Sequence, residues 1–457
     1  MKNLCFFILA LLVFSCQEKG TVDYAIISGK ISNKTVGEVS INSLDRTVKE
    51  VLNIAEDGSF SDTLRVKAAT YIFFDGKNRT SVYINTGDIL NVNYDAANFD
   101  TTLSISGKGS EISNYLLISS KKENELRGKG TSIYLLEEDD YKATLNSVKM
   151  SSEELLANTT GVPEAYKVKE QRNLNYAYLG GLNIYERYHA HYAKKPEFKT
   201  SDDFLAELDG IDYSNEEDFI FSPSYKGIVT SHYSSEASAL AKKDSIAEDI
   251  AFLTTVGFLE NETIKNGLLY ENAKYGITYT DDVDKFYKAF IGYSTNEDNN
   301  KEITESYNKL KTVAKGQPSP TFENYENFAG GTTSLSDLKG KFVYVDVWAT
   351  WCGPCKREIP FLQKVEKQYH GKNIEFVSLS VDKLGDHDKW KRMVEEMHLG
   401  GIQLFADKSW DSDFVKDYLI KGIPRFILID TNGNIVNSNA PRPSDTKLID
   451  LFNELNI

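Results

Sequence analysis

The residues from Lys341 to Cys355 constrain this chain more than any others. Lys341–Val347 is β-branched and apolar, the pattern of a buried strand. It runs through Trp348-Ala349-Thr350-Trp351 into Cys352-Gly353-Pro354-Cys355. Lys356–Tyr369 then takes up helical periodicity, with Pro360 inside it. A strand that turns into a helix with two cysteines at the turn is one α/β unit. A lone C-x-x-C pair is either a catalytic dithiol or half of a metal site. The chain holds four cysteines, and the other two, Cys5 and Cys16, lie in or at the end of an N-terminal apolar segment. No second C-x-x-C or Cys/His pair completes a zinc site. A structural disulfide framework needs more cysteines, set further apart. A body with one close pair and no competing thiol suits redox exchange.

Further along, Ile374–Val381 reads as a second buried strand and Trp390–His398 as a helix. Arg425–Asp430 reads as a strand after Gly422-Ile423-Pro424. Thr431-Asn432-Gly433-Asn434 is a hairpin turn into Ile435-Val436, and Asp445–Leu455 closes as a helix. The order β-α-β-α-β-β-α is that of a thioredoxin fold. From Gly316 to its end the chain resembles the TlpA/ResA-like thioredoxin family, with an AhpC/TSA-like start. Gly316-Gln317-Pro318-Ser319-Pro320-Thr321-Phe322, Leu335-Ser336-Asp337-Leu338-Lys339-Gly340-Lys341 and Trp348–Cys355 carry the resemblance.

The resemblance implies thiol–disulfide exchange and a role for several residues. Cys352 would begin the helix, where free N–H groups and the helix dipole favour a thiolate. It would attack a substrate disulfide, and Cys355 would then release the reduced substrate. Gly353 and Pro354 would set the turn and tune the potential. Asp346, six residues before Cys352, would assist proton transfer from Cys355, as a buried carboxylate does at the matching position of thioredoxins. Glu358 would modulate the cysteines. Pro424 would be cis and face the disulfide, Ile423 would pair with the substrate backbone, and Trp351 would shape the docking surface. Pro360 is read as structural. No cofactor and no metal are implied.

The start of the chain reads as an address. Met1-Lys2-Asn3 is basic, and Leu4–Phe14 is an apolar run of about 11 residues, too short for a spanning helix. Val13-Phe14-Ser15-Cys16 resembles a lipobox, which makes residues 1–15 a signal peptide. Cys16 is then the lipidation site, and residues 16–23 are the lipidated tether. Residues 24–110 alternate in short strands with turns at Asp57-Gly58, Gly76 and Gly87-Asp88, which predicts a small sandwich. They resemble the N-terminal β-domain of unknown function found before thioredoxin domains in Gram-negative lipoproteins. Ile27-Ser28-Gly29-Lys30-Ile31, Asp57-Gly58-Ser59-Phe60, Asn85-Thr86-Gly87-Asp88 and Ile105-Ser106-Gly107 carry that likeness.

Residues 111–315 are mostly helical in pattern, with Glu111–Lys122, Glu164–Arg187, Asp202–Leu208, Ser235–Phe258 and Val283–Lys315 as expected helices. His189-Ala190-His191 places two rings on different helix faces, a poor metal pair. Gly316–Pro320 is a punctuated linker, and residues 316–457 form the thioredoxin domain. The fold class is therefore multidomain, with an all-β sandwich-like domain, a mostly α region and an α/β thioredoxin fold.

A net charge of −15 argues against nucleic acid as a partner. The expected function is a membrane-anchored thiol:disulfide oxidoreductase of a Gram-negative cell envelope, facing the periplasm or the surface. Gly-Pro between the cysteines resembles thioredoxin, near about −270 mV, so reduction of substrate disulfides is the expected direction. The partners would be a protein or small-molecule disulfide, the membrane through lipid on Cys16, and an electron donor in that membrane. The alternatives are a disulfide oxidase or isomerase, and an adaptor lipoprotein with an auxiliary thioredoxin domain.

Overall fold

A computed structural model describes residues 22–34 and 37–457. The expected signal peptide and Cys16 lie outside the described residues. The chain divides into two compact units, Met1–Ile228 and Val229–Ile457.

The first unit opens with strands β1 (Ala25–Ser32), β2 (Ser40–Ser43), β3 (Lys49–Val51), β4 (Ser59–Leu64), β5 (Ala69–Phe74), β6 (Arg79–Ile84) and β7 (Ile89–Asp95). The short helix α1 (Phe99–Thr102) and strand β8 (Ser104–Lys108) follow. They form two four-stranded sheets, ordered β4-β1-β7-β8 and β3-β2-β5-β6. Alternating residues such as Ile27, Ile31, Val82, Leu90 and Val92 fill one apolar core, which is the period-2 pattern of a sandwich. Gly29 is needed where β1 meets β7. Its φ is +156° and a Cβ there would lie 1.8 Å from the Val92 carbonyl oxygen. Helices α2 (Ser110–Arg127), α3 (Glu138–Asn158), α4 (Glu164–Tyr192) and α5 (Glu216–Phe221) complete this unit, and α6 (Pro223–Asp244) spans the division.

The second unit continues with α7 (Glu248–Gly257), α8 (Glu262–Gly276), α9 (Val283–Tyr293) and α10 (Glu297–Lys311). Three expected helices differ. Asp202–Leu208 holds only a 3-10 turn, Ala206–Leu208, because a short segment with two aspartates at its start does not nucleate an α-helix. Ser235–Phe258 is two helices, broken at Ser245, which has φ +52°. Val283–Lys315 is also two, because Asn296 caps α10 by accepting from the Asn299 N–H.

The sheet of this unit uses β9 (Tyr325–Asn327), β10 (Thr332–Thr333), β11 (Phe342–Trp348), β12 (Ile374–Ser380), β13 (Ile402–Phe405), β14 (Arg425–Ile429) and β15 (Ile435–Asn437). Its order is β10-β9-β13-β12-β11-β14-β15. The expected strand order lacked β9, β10 and β13. The first two are very short, and Gln403 interrupts the four-residue β13. Helices α11 (Gly353–Gln368), α12 (His387–Glu396), α13 (Asp413–Asp417) and α14 (Thr446–Glu454) cover the sheet. Val343, Val345 and Val347 join one core with Trp390 and Phe414. Tyr344 joins the other with Leu362, Phe426 and Phe452. Burial on both faces explains why β11 reads as a continuous apolar run.

Candidate functional site

β11 ends at Trp348, and the chain turns through Ala349–Trp351 into α11. The turn is clamped from the segment just past β12. The fully buried Asp382 carboxylate accepts from the Thr350 N–H at 2.9 Å, from the Thr350 hydroxyl at 2.8 Å and from the Ser380 hydroxyl at 2.8 Å. The clamp places Cys352 at the N-cap of α11, followed by Gly353 and Pro354 at its first positions. A proline there costs the helix no hydrogen bond.

Cys352 and Cys355 form a disulfide with Cα atoms 5.3 Å apart. The Cys355 N–H points at Cys352 Sγ, 3.1 Å away. A charge on that sulfur would meet this N–H and the positive end of the helix dipole, the setting that lowers a thiol pKa. Both cysteines are buried, whereas Trp351 beside them is 51% exposed.

The Ile423–Pro424 peptide bond is cis and faces the disulfide, with the Ile423 carbonyl oxygen 3.8 Å from Cys352 Sγ. Arg425 follows at once and is buried. Its guanidinium donates to the Thr278 carbonyl oxygen at 2.6 Å, to the Thr278 hydroxyl at 3.0 Å and to Asn439 Oδ1 at 3.0 Å.

Three carboxyls gather along α11. Asp346, on β11, is buried and its Oδ1 has no hydrogen-bond partner. Burial, reinforced by the charges of Glu358 and Glu366, pushes its carboxyl up to about 8. Glu358 is buried and accepts from the Ser444 N–H at 3.0 Å and the Ser444 hydroxyl at 2.9 Å. Burial pushes the Glu366 carboxyl up to about 7.

Cys352, Cys355, Ile423 and Pro424 therefore meet at one point, and Asp346 and Glu358 lie near each other by α11. Trp351 faces solvent. α11 continues past Pro360 to Gln368. Cys16 lies outside the described residues. His189 is buried and its Nδ1 lies 3.0 Å from the Tyr134 carbonyl oxygen, so it serves packing. Sequence reasoning missed Asp382, Glu366 and Arg425. Asp382 had a signal, because it stands at the C-terminal end of a parallel strand, where α/β sheets place functional groups. A helix glutamate among lysines and an arginine after a proline carry none.

Residues 314–453 match the Redoxin family. The thiol-disulfide oxidoreductase ResA of Bacillus subtilis is 27% identical over 145 residues, which is 31% of this chain and 76% of that protein. ResA of Oceanobacillus iheyensis is 35% identical over 130 residues, 28% of this chain and 65% of that one. Among solved structures, the thioredoxin domain of a thiol-disulfide oxidoreductase from Bacteroides vulgatus is 29% identical. That match covers 31% of this chain and 98% of that one, with a TM-score of 0.29.

Proposed function

We propose that this chain, whose C-terminal domain is a Redoxin-family thiol–disulfide oxidoreductase, reduces substrate disulfides outside the cytosol from a lipid anchor on Cys16. The observation that carries the reading is the Cys352–Cys355 pair at the N-cap of α11, against a cis proline and near a buried carboxyl of raised pKa.

In the reduced protein Cys352 is the thiolate. It attacks one sulfur of a substrate disulfide, forming a mixed disulfide and releasing one substrate thiolate. Asp346, in its ionised form, takes the proton of Cys355, and the Cys355 thiolate attacks Cys352 Sγ. The Cys352–Cys355 bond forms, the mixed disulfide breaks, and the second substrate sulfur leaves as a thiolate. Two electrons pass from the dithiol to the substrate. The cis turn offers the Ile423 backbone to the substrate chain, and exposed Trp351 borders the docking surface. Glu358 is held in place by the Ser444 N–H and hydroxyl.

The location rests on the signal-like start, on Cys16 and on a body with no third thiol. Among the described residues no helix is long and apolar enough to cross a membrane. In this reading the acyl chain on Cys16 is the anchor. A reductase in that compartment needs recharging by an electron donor in the membrane.

The reduction potential of the pair tests the direction, by equilibrating the chain with thiol buffers. A value near or below about −240 mV supports a reductase, and one above about −160 mV points to an oxidase or isomerase. Cys355→Ser is expected to accumulate the mixed disulfide with its substrate on non-reducing gels. Cys352→Ser is expected to trap nothing.

A further inference from the structure

A small cavity opens beside Asp346, bordered by Trp348, Ser378, Glu366, Gln403 and Gly400 among others. It has room for about one water molecule. Three buried polar atoms of its lining have no hydrogen-bond partner: Asp346 Oδ1, Trp348 Nε1 and Gln403 Oε1. A donor and two acceptors set round a water-sized space suit one bridging water, since a buried polar group left without a partner is destabilising.

Glu366 stands at this cavity, about three turns along α11 from Cys355. Room has been made for it. A Cβ on Gly400 would lie 2.5 Å from Glu366 Oε2, and one on Gly401, where φ is +63°, would lie 3.1 Å from Oε1. Two consecutive glycines thus leave a slot for one carboxylate. Nothing in the exchange described above uses Glu366, yet its charge reaches Asp346.

We propose that Glu366, with a water held in this cavity, is the route by which the Asp346 proton exchanges with solvent. The inference rests on the reading that Asp346 serves Cys355. When the pair reduces a substrate, the Cys355 proton passes to Asp346, then through the water to Glu366, and out. When a donor thiolate opens the Cys352–Cys355 bond, the Asp346 proton goes to the departing Cys355 thiolate. Asp346 is then recharged from solvent through Glu366. No electrons move along this path. Charged groups acting on Asp346 are Glu358 and Glu366, both from α11. β12 contributes the neutral Ser378 and β13 the neutral Gln403. Glu366 is a positioning residue, because it acts through Asp346.

The test follows tryptophan fluorescence while dithiothreitol reduces the disulfide of the full chain, from pH 6 to 9. Wild type is expected to be indifferent to buffer concentration. Glu366→Gln is expected to slow about tenfold near pH 7 and to recover as imidazole buffer is raised, and Glu366→Asp to restore the wild-type profile. Gly400→Ala, which crowds the carboxylate without changing any charge, should behave like Glu366→Gln and serves if that variant does not fold. Wild-type rate, pH profile and buffer independence in Glu366→Gln or Gly400→Ala, with Asp346→Asn slow, would overturn the route and leave the Asp346 reading standing. Indifference in Asp346→Asn as well would remove both.

Discussion

The guanidinium of Arg425 sits 4.2 Å from the centre of the Tyr279 ring while it donates to both oxygens of Thr278. Asn439 adds a bond from its side chain to the Tyr279 carbonyl oxygen at 2.8 Å. The residue after the cis proline therefore pins the loop between α8 and α9, and a Cβ on Gly422 would lie 2.6 Å from the Tyr279 hydroxyl.

Arg425→Met is expected to destabilise the chain by about 1–3 kcal/mol in urea titration. The lost bonds to a charged donor are partly offset by relief of burying that charge. Proteolysis between Ile277 and Asp282 should quicken with it. A wild-type midpoint and digestion pattern would show that the anchor contributes nothing.

Asp346 carries a pH dependence whose sign is fixed. The unfolded carboxyl releases its proton near pH 4, and the folded one holds it up to about 8. The folded chain binds more protons between these values, so this contribution to stability falls as pH rises through them. Asp346→Asn lacks the titration. Its stability relative to wild type should grow by about 3–4 kcal/mol between pH 5 and pH 8, read from urea midpoints. A difference that stays flat with pH would mean that the carboxyl is not held protonated.

Thr350→Val removes one of the bonds that Asp382 accepts, and leaves the buried carboxylate with fewer donors. A loss of about 1–2 kcal/mol is expected by thermal melting. Asp382→Ala should cost more, because it frees the Thr350 N–H and hydroxyl together. Equal costs for the two would assign the clamp to packing.

Glu170 in the first unit repeats the electrostatic situation without any redox chemistry nearby. It is buried on α4, accepts from the Tyr115 hydroxyl at 3.0 Å and the Asn173 amide at 3.1 Å, and burial pushes it up to about 7. Stability is again lost as pH rises from the ordinary carboxyl range towards 7. Glu170→Gln should gain about 2–3 kcal/mol on wild type between pH 5 and pH 8 in urea titration. No gain would mean that Glu170 stays ionised throughout.

The amino-acid sequence by itself determined the strand, the turn and the helix that carry Cys352 and Cys355. Burial on both faces makes β11 apolar throughout, and Cys-Gly-Pro-Cys needs only local spacing to bring its sulfurs together. It determined the sandwich pattern as well, since alternation along each strand is set by that strand's own two faces. Tertiary structure alone decided what lies against those elements. The helix breaks at Ser245 and Asn296 depend on backbone angles and caps that periodicity does not record. The seat of Glu366 beside Gly400, the Asp382 clamp on Thr350 and the grip of Arg425 on Thr278 join residues tens to more than a hundred positions apart. Such contacts follow from how the chain packs, and desolvation, which raises Asp346, Glu366 and Glu170, exists only once that packing has excluded water.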